Sequence, residues 1–131
     1  MHKQLVFQFI DLMNTGQIDR FGEVIADDYQ QHNPMVEPGL IGIQNGARWF
    51  ASVFPDARAT VDDIISEGDR IVARFSWTGT HRGELFGVPA TNRLVRWTGT
   101  DWWRVENGKL AEHWDVVDWA GLAQQLSASD A

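Results

Sequence analysis

Apolar residues follow two different rhythms along this chain. Leu5, Phe9, Leu12 and Met13, with Val6 and Ile10 beside them, recur at helical spacing, and Asn14-Thr15-Gly16 closes the helix they predict. A second, shorter helix is expected from about Asp19, a good N-cap type, through Phe21, Val24 and Ile25. Asp27 to Asn33 reads as a short extended segment halted by Pro34. Pro38 to Gly42 reads as loop, and Ile43 to Phe54 as a third helix with Trp49, Phe50 and Val53 on its buried side, closed by Pro55-Asp56. From Arg58 onward the period becomes two. Strands are predicted at Arg58–Glu67, Arg70–Thr80, Arg93–Val105 and Leu110–Val117, with Gly68-Asp69 turning the first pair. Arg82 to Ala90 is too rich in Gly and Pro for a regular strand and is assigned to a loop. A last helix, Trp119 to Leu126, precedes a small-residue tail expected to fray. Helices followed by an antiparallel meander mean α+β, with the helices covering one face of a curved sheet. At 131 residues the chain is expected to be a single domain, 1–131.

The segment from Trp97 to Trp119 carries the sharpest signal. Glu106-Asn107-Gly108-Lys109 joins its two strands, and Asn-Gly is the strongest short hairpin signature. In the first strand Val95, Trp97, Gly99, Asp101, Trp103 and Val105 share one face, apolar except for Asp101, so that face is expected inside. In the return strand Ala111, His113, Asp115 and Val117 share one face; Leu110, Glu112, Trp114 and Val116 share the other. Parity alone leaves open which set points inward. The Ala/Val pair around His113 and Asp115 suggests a cavity wall, and Leu110, Trp114 and Val116 would then meet a helix, a second layer or a partner subunit. Ionisable groups in an apolar wall are costly unless partnered, which points to a buried polar site.

Composition narrows the partners. Seven Trp and seven Phe suit either a large packed core or an aromatic-lined pocket for a flat, apolar small molecule. A formal charge of −7 argues against nucleic acid, because phosphate binding needs clustered Lys and Arg. The absence of cysteine excludes disulfides and thiolate metal sites. No segment approaches the length needed to span a bilayer, and the first residues resemble a helix rather than a secretory signal, so no membrane partner and a cytoplasmic location are expected.

Four places offer chemistry: His32 in YQQHNP, His81 at the end of a strand, the apolar loop tip around Phe86, and the cluster Asp101, His113 and Asp115. Plainer readings stand beside them: a surface histidine, a solvated rim histidine and, in the cluster, an edge aspartate in water or a histidine that caps a hydrogen-bond network. No phosphate loop, His-Glu-x-x-His helix or nucleophile elbow is present, and no His/Asp spacing matches a local metal motif, so no metal or other cofactor is expected. What remains is acid–base work by a carboxylate in an apolar pocket, where burial raises its pKa toward neutrality. Asp115, His32, Asp101 and His113 are the candidate catalytic residues. Phe9, Met13, Phe50, His81, Phe86 and Trp103 are the candidate pocket lining.

YQQHNP, the block FPDARATVDDIISEGDRIVARFSWTGTHRGELFGVPATNR and GKLAEHWDVVDWAGLAQQL together resemble the SnoaL-like polyketide cyclase (ester cyclase) family over nearly the whole chain. The resemblance implies the nuclear transport factor 2-like fold, an α+β cone with helices in the concavity of a strongly bent antiparallel sheet. It also implies a homodimer and an intramolecular aldol closure that uses neither metal nor cofactor. It places a general acid/base at Asp115, and at or near Asp101 it expects a histidine beside the oxygen that becomes enolate. An aspartate there stabilises an oxyanion only when protonated, so general acid–base chemistry survives better than the aldol assignment, and His32 or His113 could take over the missing role. Two other activities occur on this fold. A steroid isomerase uses a tyrosine donor, for which Tyr29 is the one tyrosine; epoxide hydrolases use an Asp-Arg-Asp set, for which Arg93 alone is not predicted to face away from the cavity. A non-catalytic binding or dimerisation domain is the remaining alternative.

Overall fold

The structure, a computed structural model, describes residues 2–128. Its elements in chain order are α1 (Lys3–Asn14), a 3-10 helix (Ile18–Glu23), β1 (Ile25–Gln31), α2 (Gly39–Val53), β2 (Arg58–Glu67), β3 (Arg70–Thr80), β4 (Leu94–Glu106), β5 (Lys109–Val117) and α3 (Trp119–Ser127). The strands make one curved, unclosed sheet in the order β1-β5-β4-β3-β2, antiparallel except for the parallel pair β1/β5. The fold is α+β, as the two rhythms of the sequence imply. Residues 129–131, where the fraying tail was expected, lie outside the described residues. No helix among the described residues is long and apolar enough to cross a membrane.

The helices lie on the side of the sheet that Phe75 and Trp77 of β3 and Trp97 and Trp103 of β4 face. Val6, Phe9, Ile10 and Leu12 of α1 are buried, and pack with Ile71, Ala73 and Phe75 of β3 and Trp103 of β4. Asn14 ties the end of α1 to the outer strand: its Nδ2 donates to the Ala59 carbonyl (2.9 Å), and the Ala59 N–H donates to its Oδ1 (2.8 Å). That reciprocal pair satisfies edge-strand backbone groups and sets where α1 crosses β2. The β4–β5 turn takes positive φ at both central residues, Asn107 (51°) and Gly108 (74°), which is why Asn-Gly signals this hairpin so well.

Four expectations need correction. Val24 and Ile25 do not continue the second helix; Ile25 opens β1 and is completely buried, its side chain claimed by the sheet core. Gly39 to Gly42 is the first turn of α2 rather than loop. A Cβ at Gly42 would stand 2.0 Å from the Glu37 carbonyl oxygen, so the glycine that lowers helix propensity is what lets this turn pack against the preceding chain. Leu110 does not share the outer face with Trp114 and Val116. The register shifts between Arg104 and Val105, a β-bulge at Ala111 turns Leu110 inward beside Val105, and Leu110 is completely buried. Trp49 is also more exposed (44%) than a buried-face residue should be.

Candidate active site

β5 lies between β1 and β4, and that position assembles the polar cluster. Asp115 is the cross-strand partner of Asp101, while His113 is flanked by Trp103 on one side and Gln31 on the other. All of these face the helices. They form the polar wall of a cavity of about 160 Å³ whose remaining wall is apolar, with Phe9 and Met13 from α1, Phe50 from α2, and Trp77 and Trp97 from the sheet. Trp77 and Trp97 are themselves cross-strand partners with nearly parallel rings (3°, centroids 5.9 Å apart).

The hydrogen bonds order the cluster. His113 is engaged at both ring nitrogens, Nδ1 with Gln31 Oε1 (2.7 Å) and Nε2 with Asp101 Oδ1 (2.7 Å). Nε2 also lies 4.0 Å from Asp115 Oδ2. The imidazole is packed between Tyr29, stacked at 6.1 Å, and Trp103 at 5.3 Å. Asn33, in the turn after β1, donates from Nδ2 to Asp115 Oδ2 (2.9 Å) while its Oδ1 accepts the Met35 N–H (2.8 Å). That backbone donor fixes the amide, so the group facing Asp115 is the NH₂. Trp103 Nε1 donates to the Tyr29 hydroxyl (3.1 Å).

Burial sets the electrostatics. It pushes the Asp101 carboxyl above the usual carboxylate range; the hydrogen bond and charge of His113 pull it back, and the charge of Asp115 adds to the rise. Burial likewise holds the Tyr29 phenol well above its usual range, only partly offset by the Trp103 hydrogen bond and reinforced by both aspartates. The donor atoms of Asp101, His113 and Asp115 lie within 4.8 Å of one another, close enough to consider a cation. Nε2 and Asp101 Oδ1 are 2.7 Å apart, so hydrogen bonding joins the same groups.

The comparisons with known proteins agree with this geometry. The sequence model of the SnoaL-like polyketide cyclase family matches residues 3–126. This chain belongs to that family. It is 31% identical to the nogalonic acid methyl ester cyclase of Streptomyces nogalater, over 89% of this chain and 90% of that one. It is 30% identical to the aklanonic acid methyl ester cyclase DauD of Streptomyces sp. (strain C5), over 93% of this chain and 79% of the relative. Among solved structures, TsrD from Streptomyces laurentii superposes with a TM-score of 0.89 at 35% identity, covering 97% of this chain and 95% of that one.

The SnoaL-like fold separates the sequence candidates. Asp115, Asp101, His113, Phe9, Met13, Phe50 and Trp103 all line the cavity. His32 does not. It stacks on Trp114 (4.9 Å, 1° between planes) on the opposite face of β5 and pairs with Glu112 (2.8 Å), its side chain 45% exposed. His81 is not at a solvated rim but wholly buried, outside the cavity lining. Its Nδ1 accepts the Thr91 N–H (3.2 Å) and lies 3.0 Å from the Thr91 hydroxyl, which fastens the loop after β3 to the strand end. Phe86 is 54% exposed, is not among the cavity-lining residues, and touches the lining residue Trp119 edge-on at 5.3 Å.

Arg93 donates to the Gln125 and Leu126 carbonyls at the end of α3 (2.9 and 3.3 Å), and no Arg or Lys lines the cavity among the described residues. The Asp-Arg-Asp arrangement of an epoxide hydrolase is therefore not assembled. Sequence reasoning missed Gln31 and Asn33. The signal was available, because Tyr29, Gln31 and Asn33 share one parity in the YQQHNP segment and His32 has the other.

Proposed function

We propose that this protein closes a ring in a neutral polyketide-like ester by acid–base catalysis, with Asp115 as the proton shuttle. The observation that carries the reading is a carboxylate set in an aromatic cavity, held by the Asn33 amide, facing a second acid that is hydrogen-bonded to a histidine. Asp115 removes a proton from the carbon next to a carbonyl. The electron pair moves onto that carbonyl oxygen as an enolate, held by the proton between Asp101 and His113 Nε2. The enolate carbon then attacks a second carbonyl, and the alkoxide so formed takes the proton back from Asp115. Every proton is returned, and the sequence of steps needs no cofactor. A protonated Asp101–His113 pair supplies what the family's histidine would supply at that position.

The cavity chemistry favours an ester over a free acid. Two aspartates and no Arg or Lys among the described lining residues would repel a carboxylate. At about 160 Å³ the cavity is smaller than the roughly 300–1,000 Å³ typical of drug-sized ligands. The reacting ring would enter while the rest of the molecule lies across Met35 (43% exposed) and Trp49 (44% exposed). The test is to incubate aklanonic acid methyl ester, and separately the free acid, with the protein and to follow ring closure by chromatography. Closure of the ester, lost in Asp115→Asn, is the expected result. A preference for the free acid, or closure unaffected by Asp115→Asn, would overturn the mechanism.

We also infer a homodimer. Trp102 (47%) and Val116 (76%) leave neighbouring apolar side chains exposed on the outer face of β4 and β5, which supports pairing of two copies there. A monomer in sedimentation at micromolar concentration would contradict it.

A further inference from the structure

We propose that Gln31 is the positioning residue that dictates where the protons of the Asp101–His113 pair sit, by holding His113 as the Nδ1–H tautomer. The inference rests on the acid–base reading above but is argued from donors and acceptors alone. Gln31 Oε1 lies within hydrogen-bond distance of two groups, the Asn33 backbone N–H (3.0 Å) and His113 Nδ1 (2.7 Å). A backbone N–H can only donate, so the atom it faces must be the carbonyl oxygen of the Gln31 amide. Rotating the amide would set its NH₂ against that N–H, with nothing to accept. The oxygen therefore also faces Nδ1, and Nδ1 must donate.

The amide keeps this orientation although its Nε2 is buried with no partner among the described residues. The Asn33 N–H is a fixed donor, and the flipped amide would leave it unsatisfied with two N–H groups pressed together. With Nδ1 carrying a proton, the 2.7 Å contact between Nε2 and Asp101 Oδ1 requires a further proton between them, because two lone pairs would repel at that distance. The pair thus holds two protons and no net charge, whether the shared one sits on nitrogen or oxygen. Asp115 Oδ2 accepts from the Asn33 amide and stands outside this pair.

The surroundings are consistent with this inventory. The titratable groups facing His113 are Tyr29 from β1, Asp101 from β4 and Asp115 on β5 itself. The cavity-lining residues of α1 and α2 are all uncharged. A histidine free in water favours the other neutral tautomer, with the proton on Nε2, so the assignment is specific to this site. The sequence offers Gln31 no chemistry of its own; it acts through His113.

Long-range ¹H–¹⁵N correlation of the imidazole reads the tautomer without any substrate. In the wild type, Nδ1 of His113 is expected to be protonated. In Gln31→Leu, which removes the acceptor, the Nδ1–H to Nε2–H ratio is expected to fall about tenfold or more. Gln31→Glu, whose carboxylate accepts from both donors, is expected to restore it. A wild-type His113 with bare Nδ1, or a Gln31→Leu spectrum with the ratio unchanged, would overturn the proposal. The wild-type spectrum decides the matter even if Gln31→Leu fails to fold. Zinc or manganese displacing the Nε2 proton at stoichiometric concentration would also overturn it. Correct tautomers without turnover of a polyketide ester would sink the ring-closure reading and leave this one standing.

Discussion

Strand β5 carries two histidine–carboxylate pairs on its two faces, and they behave as opposites. On the cavity face His113 meets Asp101 at 2.7 Å, walled by Trp103 and Tyr29. On the outer face the neighbouring residue Glu112 meets His32 at 2.8 Å, with Trp114 beneath the histidine and Arg104 on the acid's other oxygen. Residue types and distances nearly match. The surroundings do not. Burial raises the Asp101 carboxyl, whereas hydrogen bonds from Arg104 and then His32 lower that of Glu112. A carboxylate with a guanidinium partner at the surface is locked in its charged form. One in an aromatic wall is free to exchange its proton with a substrate.

The largest contrast should be in activity. Asp115→Asn removes the base from the cavity face and should reduce kcat for ring closure by about a hundred- to ten-thousand-fold, with folding monitored by circular dichroism. A loss of tenfold or less would take Asp115 out of the mechanism.

Next in size is packing. Trp102 and Trp103 are adjacent but face opposite ways, 47% and 1% exposed. Urea unfolding should show Trp103→Ala destabilising by about 3–5 kcal/mol, since it opens a void and strips the Tyr29 hydroxyl of its donor. Trp102→Ala should lie within about 1 kcal/mol for the protomer. Comparable losses at the two positions would mean that the outer face is as constrained as the core.

A subtler contrast lies in pH dependence. Asp101 has a raised carboxyl pKa in the folded state, so its stabilising contribution is full below the unfolded value and lost as pH rises through the folded one. Asp101→Asn should therefore gain on the wild type as pH rises above the ordinary carboxylate range. Glu112 has a lowered pKa, so its contribution is present above the unfolded value and lost as pH falls through the folded one. The deficit of Glu112→Gln should be largest near neutrality and fade on acidification. Unfolding titrations at several pH values would show the two differences sloping in opposite directions; equal slopes would break the contrast.

His32→Ala should produce the smallest effect. Its exposed pair should be worth about 1 kcal/mol or less, and turnover should stay within about twofold. A collapse of turnover would bring His32 back into the chemistry.

The strands were the most legible part of the fold. β2 and β3 fall at the residues expected, β4 is shifted by one residue at both ends and β5 begins one residue earlier, because period-two patterning and the Asn-Gly turn are local signals. The start of α2 was not legible. Its glycines read as loop until the Glu37 backbone is found against Gly42. Leu110 was misplaced because a bulge shifts parity without any residue type that announces it. In the site, Asp101, His113 and Asp115 could be placed on shared faces, but His32 drew attention by chemistry when parity favoured Gln31 and Asn33.

The sequence by itself determined most of the elements, the facing of β4, and a set of acids destined for an aromatic wall. Those follow from the fixed geometry of a strand and from the cost of exposing Trp and Phe to water. Only the tertiary structure decided that β1 runs parallel beside β5, bringing Gln31 and Asn33 from some 80 positions away to His113 and Asp115 (82 in each case). No local pattern specifies that pairing. It arises when α1, α2 and the sheet must bury their apolar faces against one another, and it is what turns aligned side chains into a directed proton network.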